Sequence, residues 1–174
     1  LGSRGLGDVY KRQAICDDEK IFLKKMNNLI VSNYANPDKL IICEFESGEQ
    51  FLSQFKANQF DVIILDIEMK ELTGLDVAEK IRETDKAVII AFLTSHQEFA
   101  PNGYEVNAFR YLLKGQPEQM YIKQLRSIFN EYHQTHMAFS VQMSNTVFNV
   151  AVSDILYFEI FKRTIVLHLS LIHI

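Results

Sequence analysis

Several absences narrow the reading of this 174-residue chain before any motif is considered. It has only two cysteines, Cys16 and Cys43, too few to staple a small secreted scaffold. Both lie in apolar strand-like runs, so they read as buried, reduced thiols of a cytosolic protein. The five histidines, at positions 96, 133, 136, 168 and 173, show no ligand spacing with cysteines or acids, which argues against a metal centre built on them. No apolar run reaches the ~18 residues of a membrane span, and no secretory signal precedes the first strand pattern, so the expected location is the cytoplasm. Positive charge is not in excess either. With 18 Lys+Arg against 22 Asp+Glu the formal charge is −4, which gives no electrostatic footprint for nucleic acid.

What is present is a series of short apolar runs, each ending on a chemically useful side chain. Ala14-Ile15-Cys16 stops on Asp17-Asp18-Glu19, and Val62 to Leu65 stops on Asp66. Val88 to Leu93 stops on Thr94-Ser95, and Phe109 to Leu113 stops on Lys114. Leu40–Phe45 reads as a further strand. Helical spacing recurs between the strands: Phe22, Met26, Leu29 and Ile30 predict a helix over about Glu19–Asn33, and Leu75, Ala78 and Ile81 predict one after Thr73-Gly74. Ser47-Gly48 opens a helix over Glu49–Ala57. A helix weakened by Pro101 and Gly103 is expected over Gln97–Val106, and a last one over Pro117–Tyr132, with Met120, Leu125, Ile128 and Phe129 apolar. This alternation predicts an α/β fold, a doubly wound five-stranded parallel sheet with helices on both faces. Roughly 120 residues suffice for its core.

In a parallel sheet the carboxyl ends of the strands share one edge, where open α/β sheets hold their ligands. Three carboxylates, a hydroxyl and an ammonium would converge there. Acids packed so closely repel, and one stays protonated unless a cation sits among them. Mg²⁺ prefers a few carboxylates together with water and a phosphate oxygen. An aspartate beside it, with a lysine and a hydroxyl to receive equatorial oxygens, is suited to act as nucleophile in phosphoryl transfer.

The ordered set CDDE, LDIEM, LTS and YLLK, covering Ala14 to about His133, resembles the receiver domain of two-component response regulators. The resemblance implies flavodoxin-like strand order and an Asp66 that accepts a phosphoryl group from the phosphohistidine of a sensor histidine kinase. It implies that Asp17 and Asp18 hold Mg²⁺ together with Asp66 and the backbone carbonyl of Glu68. Lys114 would pair with the phosphoryl group, the Thr94 hydroxyl would move to bond it, and Tyr111 would be the aromatic that changes rotamer. Glu68 and Ser95 lie beside the site and, by the same resemblance, tune the lifetime of the phosphoryl bond. Such a chain is a phosphoryl-accepting switch rather than an enzyme, limited to Mg²⁺-dependent self-phosphorylation and slow self-dephosphorylation. Its output is a population shift read around the helix expected at 97–106 and the strand that follows, a surface by which such receivers form homodimers.

Two departures stand out. Lys70 and Gly115 occupy places where receivers usually carry proline. A Lys-Pro bond at the second place is normally cis, a geometry glycine rarely keeps because a non-proline cis bond costs about 3 kcal/mol. The loops carrying Asp66 and Lys114 are therefore expected to be looser than usual.

Each residue alone has a plainer reading: Asp17 or Asp18 as a helix cap, Lys114 as a solvated lysine, Thr94 as a strand-end hydroxyl bonded to backbone, Asp66 as a loop acid. Falling in receiver order at the strand ends, they are read together as one site. Tyr111 stays open between core aromatic and switch. A pseudo-receiver that acts as a protein-interaction module without phosphorylation draws support only from Lys70 and Gly115. A haloacid-dehalogenase-like phosphatase using Asp66 would want a second aspartate where Glu68 stands, and a cap region that is absent.

After Tyr132 the pattern changes. Phe139, Val141 and Met143 alternate with polar residues, Ser144-Asn145-Thr146 reads as a turn, and Phe148, Val150 and Val152 alternate again. Ile155 to Phe158 and Ile165 to Leu167 follow, on either side of Lys162-Arg163. A partial all-β domain is expected over residues 135–168, after a receiver over 14–134. VSDILYFE, a basic pair and IVLH resemble the start of a LytTR DNA-binding domain, about a third of one. By that resemblance Lys162 and Arg163 are candidate DNA contacts, to phosphate, with a solvated hairpin charge pair as the alternative. So short a β segment cannot bury its own apolar face, so DNA binding is expected of a complete output domain and not of this fragment.

The ends read differently again. Asp8 to Gln13, DVYKRQ, can be encoded by GATGTGTATAAGAGACAG. The reverse complement, CTGTCTCTTATACACATC, translates as LSLIHI, the last six residues Leu169 to Ile174. An inverted repeat at the two termini looks like a sequencing-library adapter read through into protein. Residues 1–13 and 169–174 are therefore expected to be foreign to the fold. Without Arg4, Lys11, Arg12 and Asp8, 15 basic and 21 acidic residues remain, a charge of −6.

Overall fold

A computed structural model of the chain describes residues 11–95, 106–135, 138–143, 146–162 and 164–170. The chain divides into two compact units between Phe129 and Asn130. In the first, β1 (Lys11–Cys16), α1 (Lys20–Asn33), β2 (Leu40–Phe45), α2 (Gly48–Gln54), β3 (Val62–Asp66), α3 (Gly74–Thr84), β4 (Ile89–Thr94) and β5 (Arg110–Leu113) lead into α4 (Glu118–Thr135). The five strands are parallel in the order β2-β1-β3-β4-β5, the expected flavodoxin-like arrangement. The order reverses between β1 and β3, so a crevice opens at their carboxyl ends.

The strands at the centre are apolar because both faces are covered. Every residue of β3 and β4 is buried. α3 lays Val77, Ala78 and Ile81 against the sheet, and α1 contributes Leu23, Met26, Leu29 and Ile30. Phe45 and Phe51 meet edge to face at 5.1 Å, with Phe60 6.2 Å from Phe45, sealing the core beside α2.

Two boundaries differ from expectation, each for a local reason. β1 begins at Lys11 because its ladder continues backwards from Ala14: Lys11, Arg12 and Gln13 pair with Leu40, Ile41 and Ile42. A parallel ladder uses backbone groups only, so side-chain pattern does not limit it. α2 ends at Gln54 rather than Ala57. The Gln59 amide oxygen accepts from Lys56 N, and Asn58, at φ +61°, donates to Asp85 Oδ2 at 2.8 Å, turning the chain into β3. In α4 the buried residues of this unit are Tyr121, Leu125, Ile128 and Phe129, while Met120 is exposed. The helix expected over Gln97–Val106 lies outside the described residues except for Val106, which sits in a turn.

The second unit contains two antiparallel hairpins, β6 (Ala138–Met143) with β7 (Thr146–Ala151), and β8 (Ile155–Phe161) with β9 (Thr164–Leu169). These strands are the partial all-β segment read from the alternation. Ser144 and Asn145, expected in a turn, lie outside the described residues. In β8 and β9, Leu156, Phe158, Ile160, Phe161 and Ile165 are all exposed. Among the described residues no helix is long and apolar enough to cross a membrane.

Candidate functional site

The site forms at the carboxyl edge of the first unit. Asp66 is the last residue of β3 and is 1% exposed; Asp17 follows β1 and is fully buried. The Asp17 backbone N–H bonds to Phe45 O, tying it to β2, and its Oδ1 accepts from Glu19 N at 2.8 Å, fixing the start of α1. Thr94 closes β4, fully buried, and its carbonyl accepts from Lys114 N at 2.8 Å, which sets Lys114 at the same level.

The Lys114 ammonium then reaches three carboxylates: Asp66 Oδ2 at 2.8 Å, Glu19 Oε1 at 2.9 Å and Asp17 Oδ2 at 3.0 Å. The Phe22 ring, on the first turn of α1, lies 4.4 Å from the same nitrogen. Behind Asp66, α3 begins in direct contact with the strand. Gly74 N donates to Ile67 O, and Thr73 and Asp76 cap the helix reciprocally, Asp76 N to Thr73 Oγ1 at 3.2 Å and Thr73 N to Asp76 Oδ2 at 2.9 Å.

Electrostatically the site carries more anion than one lysine balances. Burial raises Asp66 to about 6, Lys114 opposing and Asp17 reinforcing the shift. Burial also raises Asp17, against its bonds to Glu19 N–H and Lys114. For Lys114, burial alone would lower the pKa, but its bonds to Asp66, Glu19 and Asp17 outweigh it and hold the ammonium above its ordinary value. Asp17 Oδ2 is ion-paired with the Lys114 ammonium at 3.0 Å and has no hydrogen-bond partner among the described residues. Oxygens of Asp17, Glu19 and Asp66 lie within 4.8 Å of one another. Within that group the buried pair Asp17 and Asp66, hard oxygen donors with excess negative charge, fits a small divalent cation such as Mg²⁺, while Glu19 is turned to Lys114.

Of the residues expected from sequence, Asp66, Asp17 and Lys114 are brought into contact, and Thr94 lies beside them on the next strand. Asp18 stands outside the three-acid cluster. Half-buried, it lines an adjoining cleft with Ile67, Glu68, Met69, Lys70, Thr73 and Leu75. Glu68 is exposed and its backbone N–H donates to Asp66 Oδ1 at 3.2 Å. Ser95 and Lys70 are exposed. Tyr111 packs against the core, its ring 5.3 Å from Phe92. There is no cis peptide bond among the described residues, and Gly115 takes φ +82°. Cys16 and Cys43 are free thiols; Cys16 donates to Met69 Sδ at 3.5 Å, and burial with the nearby carboxylates pushes it up to about 12. In the second unit Lys162 is exposed at the β8–β9 turn with φ +56°, and Arg163 lies outside the described residues.

Two residues escaped sequence reasoning. Glu19 was visible only as the third acid of a run. Arg82 gave no signal at all: its guanidinium donates to the carbonyls of Val106 at 2.8 Å, Val88 at 2.9 Å, Asp85 at 3.1 Å and Asn107 at 3.3 Å, clamping the turn before β5 onto α3.

A parallel sheet in this order, with a buried aspartate ending its third strand and a lysine after its fifth, defines a receiver-type α/β domain. Residues 14–126 match the response regulator receiver domain, and the chain belongs to that family. It is similar to the sensory transduction protein LytR of Staphylococcus epidermidis, 36% identical over 100 residues that cover 58% of this chain and 38% of that protein. Among solved structures, the response regulatory domain of protein mrkE from Klebsiella pneumoniae is 28% identical, with a TM-score of 0.61 over 71% of this chain and 98% of that one. The response regulator TrrA from Thermotoga maritima, solved in complex with Mg(2+)-BeF, is 26% identical, with a TM-score of 0.58 over 68% of this chain and 98% of that one. The alignments to the LytR and LytT relatives span only 38–48% of those proteins.

Proposed function

We propose that this chain is the input half of a LytR-type transcriptional regulator, switched when Asp66 takes a phosphoryl group from the phosphohistidine of a sensor histidine kinase. The observation that carries this reading is the 2.8 Å contact between Lys114 Nζ and Asp66 Oδ2, with Asp17 beside them at the carboxyl edge. Asp66 attacks as the carboxylate, the form that prevails above a pKa of about 6. An Asp66 oxygen bonds to phosphorus while the phosphorus–nitrogen bond breaks, and the imidazole leaves with that electron pair. Lys114 offsets negative charge on the equatorial oxygens, and the hydroxyl of Thr94, on the neighbouring strand, would move to bond one of them. Asp17, Asp18, Asp66 and the Glu68 carbonyl would hold Mg²⁺, which when bound supplies further charge neutralisation at the phosphoryl oxygens. The Mg(2+)-BeF complex of TrrA supports this use of the site.

Tyr111, packed on Phe92, is the candidate relay toward a homodimer surface. Output would run through DNA contacts of a complete LytTR domain, with Lys162 and Arg163 touching phosphate, in the cytoplasm. Although Lys11–Gln13 extend the β1 ladder, residues 1–13 and 169–174 are read as adapter-derived. Gln13 supports this: it is 1% exposed in β1, yet its Oε1 has no hydrogen-bond partner among the described residues.

Intact-mass spectrometry of the chain after acetyl phosphate, with and without Mg²⁺, tests the proposal. A Mg²⁺-dependent, alkali-labile phosphate adduct that is lost in Asp66→Ala is expected. A folded wild-type chain that takes up no phosphate would instead favour the pseudo-receiver.

A further inference from the structure

The phosphoacceptor reading leaves Glu19 without a role, although it makes one of the shortest polar contacts in the site. Glu19 is the N-cap residue of α1, the place where a side chain ordinarily accepts a hydrogen bond from the helix's own first amides. Glu19 makes no such bond; its carboxylate reaches across to Lys114 Nζ at 2.9 Å. An ammonium has three N–H donors. Here Asp66, Asp17 and Glu19 stand around it, and the Phe22 ring closes the side toward α1. Two of the donors bond Asp66 and Glu19, with Asp17 Oδ2 ion-paired at 3.0 Å, so a phosphoryl group on Asp66 gains the donor now turned to Glu19 only when that contact lets go. Asp17 and Asp66 side chains are 1% and 2% exposed, whereas that of Glu19 is 53% exposed. A partly hydrated carboxylate is the weakest of the three holds.

Resting on the phosphoacceptor reading, we propose that Glu19 is a positioning residue, a latch that holds Lys114 in the unphosphorylated arrangement and yields it to the incoming phosphoryl group. Glu19 also sets an anion facing the developing phosphoryl charge, so the latch restrains phosphorylation in two ways. Removing it should speed the switch, a gain that mere loss of structure would not produce.

The test compares the full chain with Glu19→Gln and Glu19→Ala. Three readouts are taken: the rate of acetyl-phosphate labelling by intact mass, thermal unfolding, and Mn²⁺ affinity by electron paramagnetic resonance. Labelling is expected to rise about two- to fivefold in both variants, the scale of one partly exposed ion pair, with metal affinity and melting temperature little changed. An unchanged or slower rate in both variants would overturn the latch alone, since the wild-type adduct would stand. A tenfold or greater loss of Mn²⁺ affinity would also overturn it, because Glu19 would then be a metal ligand. A wild-type chain without any adduct would overturn the phosphoacceptor reading, and the latch with it.

Discussion

At the scale of single residues, Asp66 is positioned as much from behind as from the front. A Cβ on Gly74 would fall 2.1 Å from the Asp66 carbonyl oxygen, a contact with backbone that no side chain can make. Gly48 is less demanding, because the atom its Cβ would meet, Val77 Cγ2 at 2.7 Å, belongs to a side chain. Gly115 is uncrowded but holds φ +82°, where only glycine is unstrained. Gly74→Ala is therefore expected to push α3 off the end of β3, costing about 1–3 kcal/mol in urea unfolding and slowing the labelling of Asp66. The turn at Thr73-Gly74 was legible in the sequence; the pressure of Gly74 on Asp66 was not, because it arises only when α3 folds back on its own strand. Asp66 and Lys114 were legible because each ends an apolar run. Glu19 was not, since which member of an acidic run faces Lys114 depends on the turn that Asp17 Oδ1 makes with Glu19 N.

At the scale of elements, periodicity located the strands and most helices, and local polar contacts moved their ends. β1 is the clearest case. Its ladder accepts Lys11, Arg12 and Gln13 because backbone pairing ignores side-chain type, yet the burial of position 13 does not ignore it. A buried amide oxygen without a partner costs on the order of 1–3 kcal/mol. Gln13→Val, which keeps strand propensity and removes the orphaned group, should stabilise the first unit by about that amount in urea unfolding. A neutral or destabilising result would show that the amide is satisfied by water. α4 illustrates the opposite limit. Its apolar residues named it, but Tyr121 rather than Met120 faces inward, a distinction of one helical step set by packing against its neighbours. The Arg82 clamp was beyond sequence reasoning because all four of its partners are backbone carbonyls, which every residue possesses.

At the scale of the whole molecule, the site sets a pH dependence. Asp66 titrates near 6 in the folded chain against an ordinary 3.8, so between those values the folded state binds more protons than the unfolded. Stability from this group therefore falls as pH rises through that window and is level above it; Asp17 acts in the same direction. Asp66→Asn should show little difference from the parent near pH 4 and be more stable above pH 7. The gap is expected to be on the order of 1–3 kcal/mol by thermal unfolding across pH, and a gap that did not grow with pH would contradict this assignment. Function would be lost as stability was gained. The Lys114 contacts have a further consequence for the order in which the chain matures. Glu19 and Lys114 are 95 positions apart, and Asp66 and Lys114 are 48 apart. On a ribosome the acids of β1 and β3 emerge long before their cation, and until β5 docks they stand as mutually repelling charges with no lysine between them. The last strand of the sheet thus completes the electrostatics of its first. A chain interrupted before residue 114 would carry most of the apolar core but none of the charge balance that makes it a switch.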